Sequence, residues 1–307
     1  MTESHGTLTS RAAMASIAMA VFLLALKLSA SAATGSVAML GSLADTALDI
    51  LASTVTLYGV RYAAMPADRE HRFGHGKAEA LAALFQVIVI SISAIAILWR
   101  AVSRWIEGQA TAHAEYGIGV SLVAMAATMV LLVYQRSVIR RTGSVAIHAD
   151  HVHYQSDVLL NGAVIVALAL DQYAGIGWAD PLFGVGIAVA LLWGAWRASS
   201  QAIDQLMDRE WPEEKRQAFM AAALKHPELA GLHDLRTRTS GAQDFVQFHV
   251  WVDPNLTVAA AHDAMDAVEE RLQEEFPGTE ILIHLDPEGN VDREGVLPTE
   301  LAEETGQ

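Results

Sequence analysis

Apolar residues run in six long blocks, at roughly 11–33, 36–61, 78–100, 116–135, 145–171 and 180–200, separated by short polar turns. Each block is near the ~20 residues that a helix needs to cross a bilayer core, and the short connections predict antiparallel neighbours in a bundle. The first block is interrupted by Lys27 and is followed by another apolar block, so it reads as a span rather than a cleavable leader. From about Trp211 the pattern becomes that of a soluble domain. Segment 213–226 reads as a helix opened by Pro212, because proline is tolerated in a first helical turn. Segments 232–238 and 244–253 read as strands, the second alternating through FVQFHVWV, and 280–286 as a third. Between the last two, 258–276 reads as an amphipathic helix. Helix, two strands, helix, strand makes a small α+β layer. The polar end, 291–307, reads as disordered.

Basic residues orient the bundle. The loop after the second block holds Arg61, Arg69, Arg72 and Lys77, and the loop after the fourth holds Arg136, Arg140 and Arg141, against Arg100 and Arg104 alone on the other side. The positive-inside rule then puts both termini in the cytoplasm. The expected organisation is a six-helix transmembrane domain over 1–207, a cytoplasmic α+β domain over 208–290, and the tail.

Charge draws the same division. Residues 1–203 carry 12 Lys+Arg against 12 Asp+Glu, whereas 204–307 carry 8 against 23, so the whole net charge of −15 lies in the tail domain. An acidic domain of this kind excludes nucleic acid as a partner, since a phosphate binder needs the opposite sign. There is no cysteine, so disulfides are absent and any metal site must use imidazole and carboxylate.

Candidate chemistry sits inside two of the blocks. Asp45 and Asp49 lie within LADTALDIL of the second, and His153 and Asp157 within HVHYQSDVLL of the fifth. A charge at mid-bilayer costs about 2.5–3.5 kcal/mol on insertion scales and marks ion pathways more often than it glues helices. Both pairs are spaced i, i+4 and so stack on one helix face. Two such faces opposed would offer three carboxylates and one imidazole, a set suited to tetrahedral Zn²⁺ and tolerant of Cd²⁺, but poorly suited to octahedral Mg²⁺. Metal needs ionised carboxylates and a neutral imidazole, so protons and metal compete for the same atoms. His153 and Asp49 are the candidates for that proton coupling, His153 because its ordinary pKa lies nearest the working range. His148, Asp150 and His151, nearer the cytoplasmic end, read as solvated mouth residues, and Lys27 as a counter-ion for an acid such as Glu79. In the tail, His284 and Asp286 share one face of a strand, and His233, His249 and His262 come from separate segments.

The paired Asp-x3-Asp and His-x3-Asp, the loop segment PADREHRFGHGKAEALAAL and the segment LMDREWPEE resemble the cation diffusion facilitator family, and within it the bacterial zinc/iron exporters. The resemblance covers nearly the whole chain to about residue 290. It implies a homodimer in the cell inner membrane, zinc–proton antiport, and a cytoplasmic domain of ferredoxin-like, copper-chaperone-like shape. By position, Asp45, Asp49, His153 and Asp157 match the family's transport site, with a His-x3-Asp pair similar to that of zinc and cadmium carriers rather than manganese carriers. Fe²⁺ and Co²⁺ remain further cargo candidates. The resemblance also implies a loop zinc site at Asp68, His71 and His75, a binuclear zinc site at His233, His249, His262, His284 and Asp286, and an ion pair of Lys77 with Asp208 near the dimer interface. Zn²⁺ is thus expected both as cargo and as a structural or regulatory ion. Two other classes are weighed against this. A membrane metal sensor would bind zinc without flux. An intramembrane metallohydrolase lacks its signature, for the chain has neither His-Glu-x-x-His nor Gly-x-Ser-x-Gly.

Overall fold

A computed structural model describes residues 5–34, 37–107, 115–174, 179–229 and 231–288. The chain divides into two compact units, 1–203 and 204–307.

The first unit consists of six long helices: α1 (His5–Thr34), α2 (Val37–Ala63), α3 (Ala78–Glu107), α4 (Glu115–Thr142), α5 (Val145–Ala174) and α6 (Ala179–Leu206). Helix α1 packs on α2 and α4, α2 on α3, and both α3 and α4 on α5. Among the described residues, four helices contain stretches long and apolar enough to cross a membrane, namely His5–Ser29, Ala78–Ser103, Leu122–Thr142 and Pro181–Leu206. Helices α2 and α5, the two that carry the acids and the imidazole, are the others.

The bundle is apolar on the outside. Ile88, Ile92, Trp99, Val130 and Trp193 are exposed, while many of the buried positions are small or polar, such as Ala12, Ala13, Ala82, Ala146, Ser16, Ser53 and Thr56, beside larger ones such as Ile90 and Leu131. Lipid gives no hydrophobic drive for helix association, so small residues that admit close backbone approach take the interfaces. Gly59 shows this directly: a Cβ there would lie 2.4 Å from Ala82 Cβ. The turn from α4 to α5 is made by Gly143 at φ +63°, and Ser144 caps α5 by accepting from the Ile147 N–H at 3.3 Å. The Ser144 hydroxyl also donates to Glu79 Oε2 at 2.6 Å, whereas Lys27 Nζ donates to Thr46 Oγ1 at 2.6 Å. The expected pairing of Lys27 with Glu79 is therefore replaced by two separate hydrogen bonds, because the two residues belong to different helix contacts.

The second unit contains α7 (Glu213–Ala223), β1 (His233–Ser240), β2 (Gln243–Val252), α8 (Val258–Glu275) and β3 (Thr279–Pro287), with a short 3-10 turn at Pro227–Leu229. Strand order is β1-β2-β3, antiparallel in the first pair and parallel in the second, as the crossover through α8 requires. Thr257 caps α8 by accepting from the Ala260 N–H. The alternation in β2 sends Val246, Phe248 and Val250 into a core with Trp211, Phe219, Val268, Leu272 and Ile281. The same alternation turns Gln247, His249 and Trp251 to the other face.

Candidate functional site

Three clusters of metal-ligating side chains form among the described residues: Asp49, His153 and Asp157; Asp68, His71 and His75; and His233, His249 and Asp286. In each, one ligand atom per residue lies within 4.8 Å of the others.

The first joins α2 to α5. His153 Nε2 stands 2.9 Å from Asp49 Oδ1, with both side chains largely shielded from solvent. Asp157 follows His153 by one helical turn, and its backbone carbonyl accepts from Asn161 Nδ2 at 2.7 Å. Asp45 lies on α2 one turn before Asp49, and its side chain falls outside the described residues. Two carboxylates and a neutral imidazole carry a charge of −2, which matches a divalent cation, and three nitrogen and oxygen donors leave one tetrahedral position for a fourth.

The second cluster lies in the loop 64–77. This stretch is a succession of turns with no helical segment. Instead Asp68 Oδ1 accepts from the backbone N–H groups of Glu70 at 2.9 Å and His71 at 2.7 Å, and Gly74 turns the chain at φ +77°. That places His71 Nδ1 at 3.5 Å and His75 Nε2 at 3.3 Å from the two Asp68 oxygens. The His71 N–H, followed by that of Glu70 and the two imidazoles, holds the Asp68 carboxyl below the usual carboxylate range. His75 is buried against the Tyr62 ring, and its Nδ1 has no hydrogen-bond partner.

The third cluster lies on the sheet face opposite the helices. His233 and His249 are register partners across β1 and β2, and His249 and His284 across β2 and β3. A bulge between His233 and Arg236, with Asp234 at φ 50°, aims His233 at the others. Gly231 is obligatory just before it, because its φ is +69° and a Cβ would lie 2.2 Å from the Trp251 ring. The His233 Nδ1–H donates to the Gly231 carbonyl at 2.8 Å, which leaves Nε2 with its lone pair facing Asp286 Oδ2 at 3.5 Å. His249 Nδ1 reaches the same oxygen at 2.8 Å, and His284 Nε2 reaches Oδ1 at 3.4 Å. Ring nitrogens converging on a buried carboxylate fit a cation, with the Gly231 carbonyl fixing the His233 ring as outer partners of metal ligands do. His262 is not brought here. It is exposed on α8, with Nδ1 3.3 Å from Asp266 Oδ1. A helix on the core side of the sheet cannot direct its outer face to the sheet's open side within one chain.

Of the expected ion pair, Lys77 belongs to the first unit and Asp208 to the second, where Arg238 lies 3.4 Å from Asp208 Oδ1. Sequence reasoning also missed the burial of Asp150, which is wholly enclosed rather than solvated at a mouth. Its spacing of i, i+3 from His153 was the available signal.

Comparison with known proteins matches both units of the chain. Residues 13–207 match the model of the cation efflux transmembrane domain, and residues 211–288 that of the cation efflux protein cytoplasmic domain. The cation-efflux pumps FieF of Salmonella newport (strain SL254) and Salmonella typhimurium (strain LT2) are each 44% identical over 297 residues, covering 96% of this chain and 98% of theirs. Among solved structures, the zinc form of a candidate zinc transporter, CzrB, is 33% identical, with a TM-score of 0.26 over 28% of this chain and 99% of that one. With both domain types in order and near-complete coverage of its relatives, the chain belongs to the cation efflux, or cation diffusion facilitator, family of membrane transporters and is not an enzyme.

Proposed function

We infer that this transporter exports divalent metal, Zn²⁺ foremost and Cd²⁺ with it, Fe²⁺ and Co²⁺ being weaker fits, in exchange for protons. The observation that carries the reading is the convergence of Asp49, His153 and Asp157 from α2 and α5. Nitrogen and oxygen donors at tetrahedral number favour Zn²⁺ over Mg²⁺. Asp45, one turn from Asp49 on the same helix, is the fourth ligand.

The cycle follows from competition. Metal loads when the carboxylates are ionised and His153 is neutral, and protonation of His153 and Asp49 expels it. Alternating access between cytoplasmic and external states lets a proton gradient set the direction. All six helices span the cell inner membrane, with both termini cytoplasmic on the positive-inside rule.

Two copies form the working unit, and Lys77 with Asp208 pairs near their interface. The loop cluster of Asp68, His71 and His75 and the cytoplasmic cluster of His233, His249, His284 and Asp286 hold Zn²⁺ as a structural or regulatory ion. Zinc bound there would link segments that are distant in sequence. Within one chain His233 and His249 hold the cytoplasmic carboxylate in place. His262 joins such a site only from another copy.

The deciding experiment is Zn²⁺ flux into proteoliposomes under an imposed proton gradient, wild type beside Asp49→Ala. Gradient-dependent flux that the variant loses supports the reading. Zinc binding without flux in the wild type moves the function to a metal sensor.

A further inference from the structure

Four helices meet at Asp150, one turn before His153 on α5, and the side chain is fully buried. Ser16 Oγ of α1 donates to Asp150 Oδ2 at 2.6 Å, and Gln135 Nε2 of α4 donates to the same oxygen at 2.8 Å. Ser53 Oγ of α2 lies 3.4 Å from Oδ1. These three partners are themselves wholly enclosed. None of the ion pairs among the described residues includes Asp150.

An ionised carboxylate without a cation is costly at membrane depth, and a neutral one needs an acceptor for its proton. The wiring serves both forms. When Asp150 is ionised, the hydroxyls of Ser16 and Ser53 and the Gln135 amide all donate to it. When Oδ2 carries a proton, that proton is donated to Ser16 Oγ, and the Ser16 hydroxyl turns to the Ala12 carbonyl at 3.1 Å. Ser53 then donates to the Tyr154 hydroxyl at 3.2 Å, whose own proton rests on the Ser16 carbonyl at 2.8 Å. No heavy atom moves between the two forms. A purely structural polar contact would need only one of them.

The other titratable groups around it are few. Helix α5 itself supplies His153 and Tyr154, the two rings lying 5.6 Å apart. From α2 the nearby acid is Asp49, engaged by His153. Helix α4 supplies Gln135, whose carbonyl meets the His151 ring at 3.2 Å, and then Arg136. Helix α1 brings the Ser16 hydroxyl, and Glu79 of α3 is engaged by Ser144.

We propose that Asp150 is a proton-carrying carboxyl of this transporter that binds no metal and is discharged when a divalent cation occupies Asp49, His153 and Asp157 one turn away. The metal's two positive charges favour the ionised form of a neighbouring acid in a low-dielectric interior. The step balances: the cation binds, the Asp150 O–H bond breaks, and the proton leaves to water while the electron pair stays on Oδ2. The proposal rests on the assignment of the metal site above.

The test uses the full-length protein in nanodiscs under weak buffering, with proton release read by a pH dye as Zn²⁺ is added. Wild type is expected to release more protons per Zn²⁺ than Asp150→Asn, by up to about one. Zinc binding is expected to persist in the variant, because its ligands are intact. The loop and cytoplasmic clusters contribute equally to both proteins and cancel in the difference. An infrared carboxylic-acid carbonyl band should vanish on zinc addition in wild type and be missing in the variant. Ser16→Ala removes a donor to the ionised form and an acceptor of the neutral one; the bond to the charge is the stronger, so the pH midpoint of the extra release should rise; this variant carries the test if Asp150→Asn fails to fold. Equal proton release from both folded proteins, or an unmoved midpoint in Ser16→Ala, overturns the proposal. Zinc binding that ignores Asp49→Ala would instead overturn the metal-site reading, while pH titration of the infrared band without zinc would still report on Asp150.

Discussion

His153 Nε2 and Asp49 Oδ1 lie 2.9 Å apart although 104 positions separate them in the chain. Each has a further Asp one helical turn away on its own helix, and this contact joins α2 to α5. In the proposed cycle it is also the atom pair for which proton and metal compete.

Removing either partner should therefore abolish transport without unfolding the bundle. Asp49→Ala and His153→Ala are each expected to lower Zn²⁺ flux at least about 100-fold, the upper end of what losing an outer-shell partner alone costs. Flux assays in proteoliposomes, with size-exclusion profiles as the folding control, check this. Wild-type flux in either variant would refute the site.

The cytoplasmic cluster should couple zinc to stability. A ligand that binds only the folded form at 100 times its dissociation constant stabilises by about 2.7 kcal/mol. Chelator should therefore lower the melting temperature of the wild-type protein, and His233→Ala or Asp286→Asn should shrink that difference. His262→Ala should leave the metal affinity of the isolated protomer unchanged, because His262 is paired with Asp266 away from the cluster.

The Asp68 turn should respond to acid. Its carboxyl is held below the usual range, so the stabilisation is fully present above the unfolded value of 3.8 and is lost as pH falls through the lower folded value. The amide resonances of Glu70 and His71, which donate to Asp68, should report that loss in a pH titration. Asp68→Asn should flatten the response.

Two packing positions test the fold itself. Phe219 is wholly buried with its ring 6.0 Å from Trp211, 6.0 Å from Phe248 and 5.2 Å from Phe276, so Phe219→Ala should cost about 3–5 kcal/mol in the second unit. Gly59→Leu should separate α2 from α3, since even a Cβ would overlap Ala82. Denaturant melts followed by tryptophan fluorescence measure the first, and cysteine cross-linking yield between the two helices measures the second.

Much of this was legible along the chain. The apolar blocks located the six helices within a few residues at most ends, because the length of an apolar run is a local property. The alternation in FVQFHVWV located β2 and its two faces for the same reason. Helical spacing identified Asp49, His153 and Asp157 as candidate ligands, since i, i+4 fixes which side chains share a face. Tertiary structure decided what depends on neighbours. The loop ligands converge through an Asx turn and Gly74 rather than a helical turn, because backbone hydrogen bonds to Asp68 outcompete the helix there. His262 is a histidine like the others in sequence, yet its helix covers the opposite side of the sheet. Lys27 turns to Thr46 rather than Glu79, which depends on which helices touch. Asp150 reads in sequence as a mouth residue, and only the meeting of Ser16, Ser53 and Gln135 from three other helices encloses it. Periodicity assigns a residue to a face; only packing determines what that face meets.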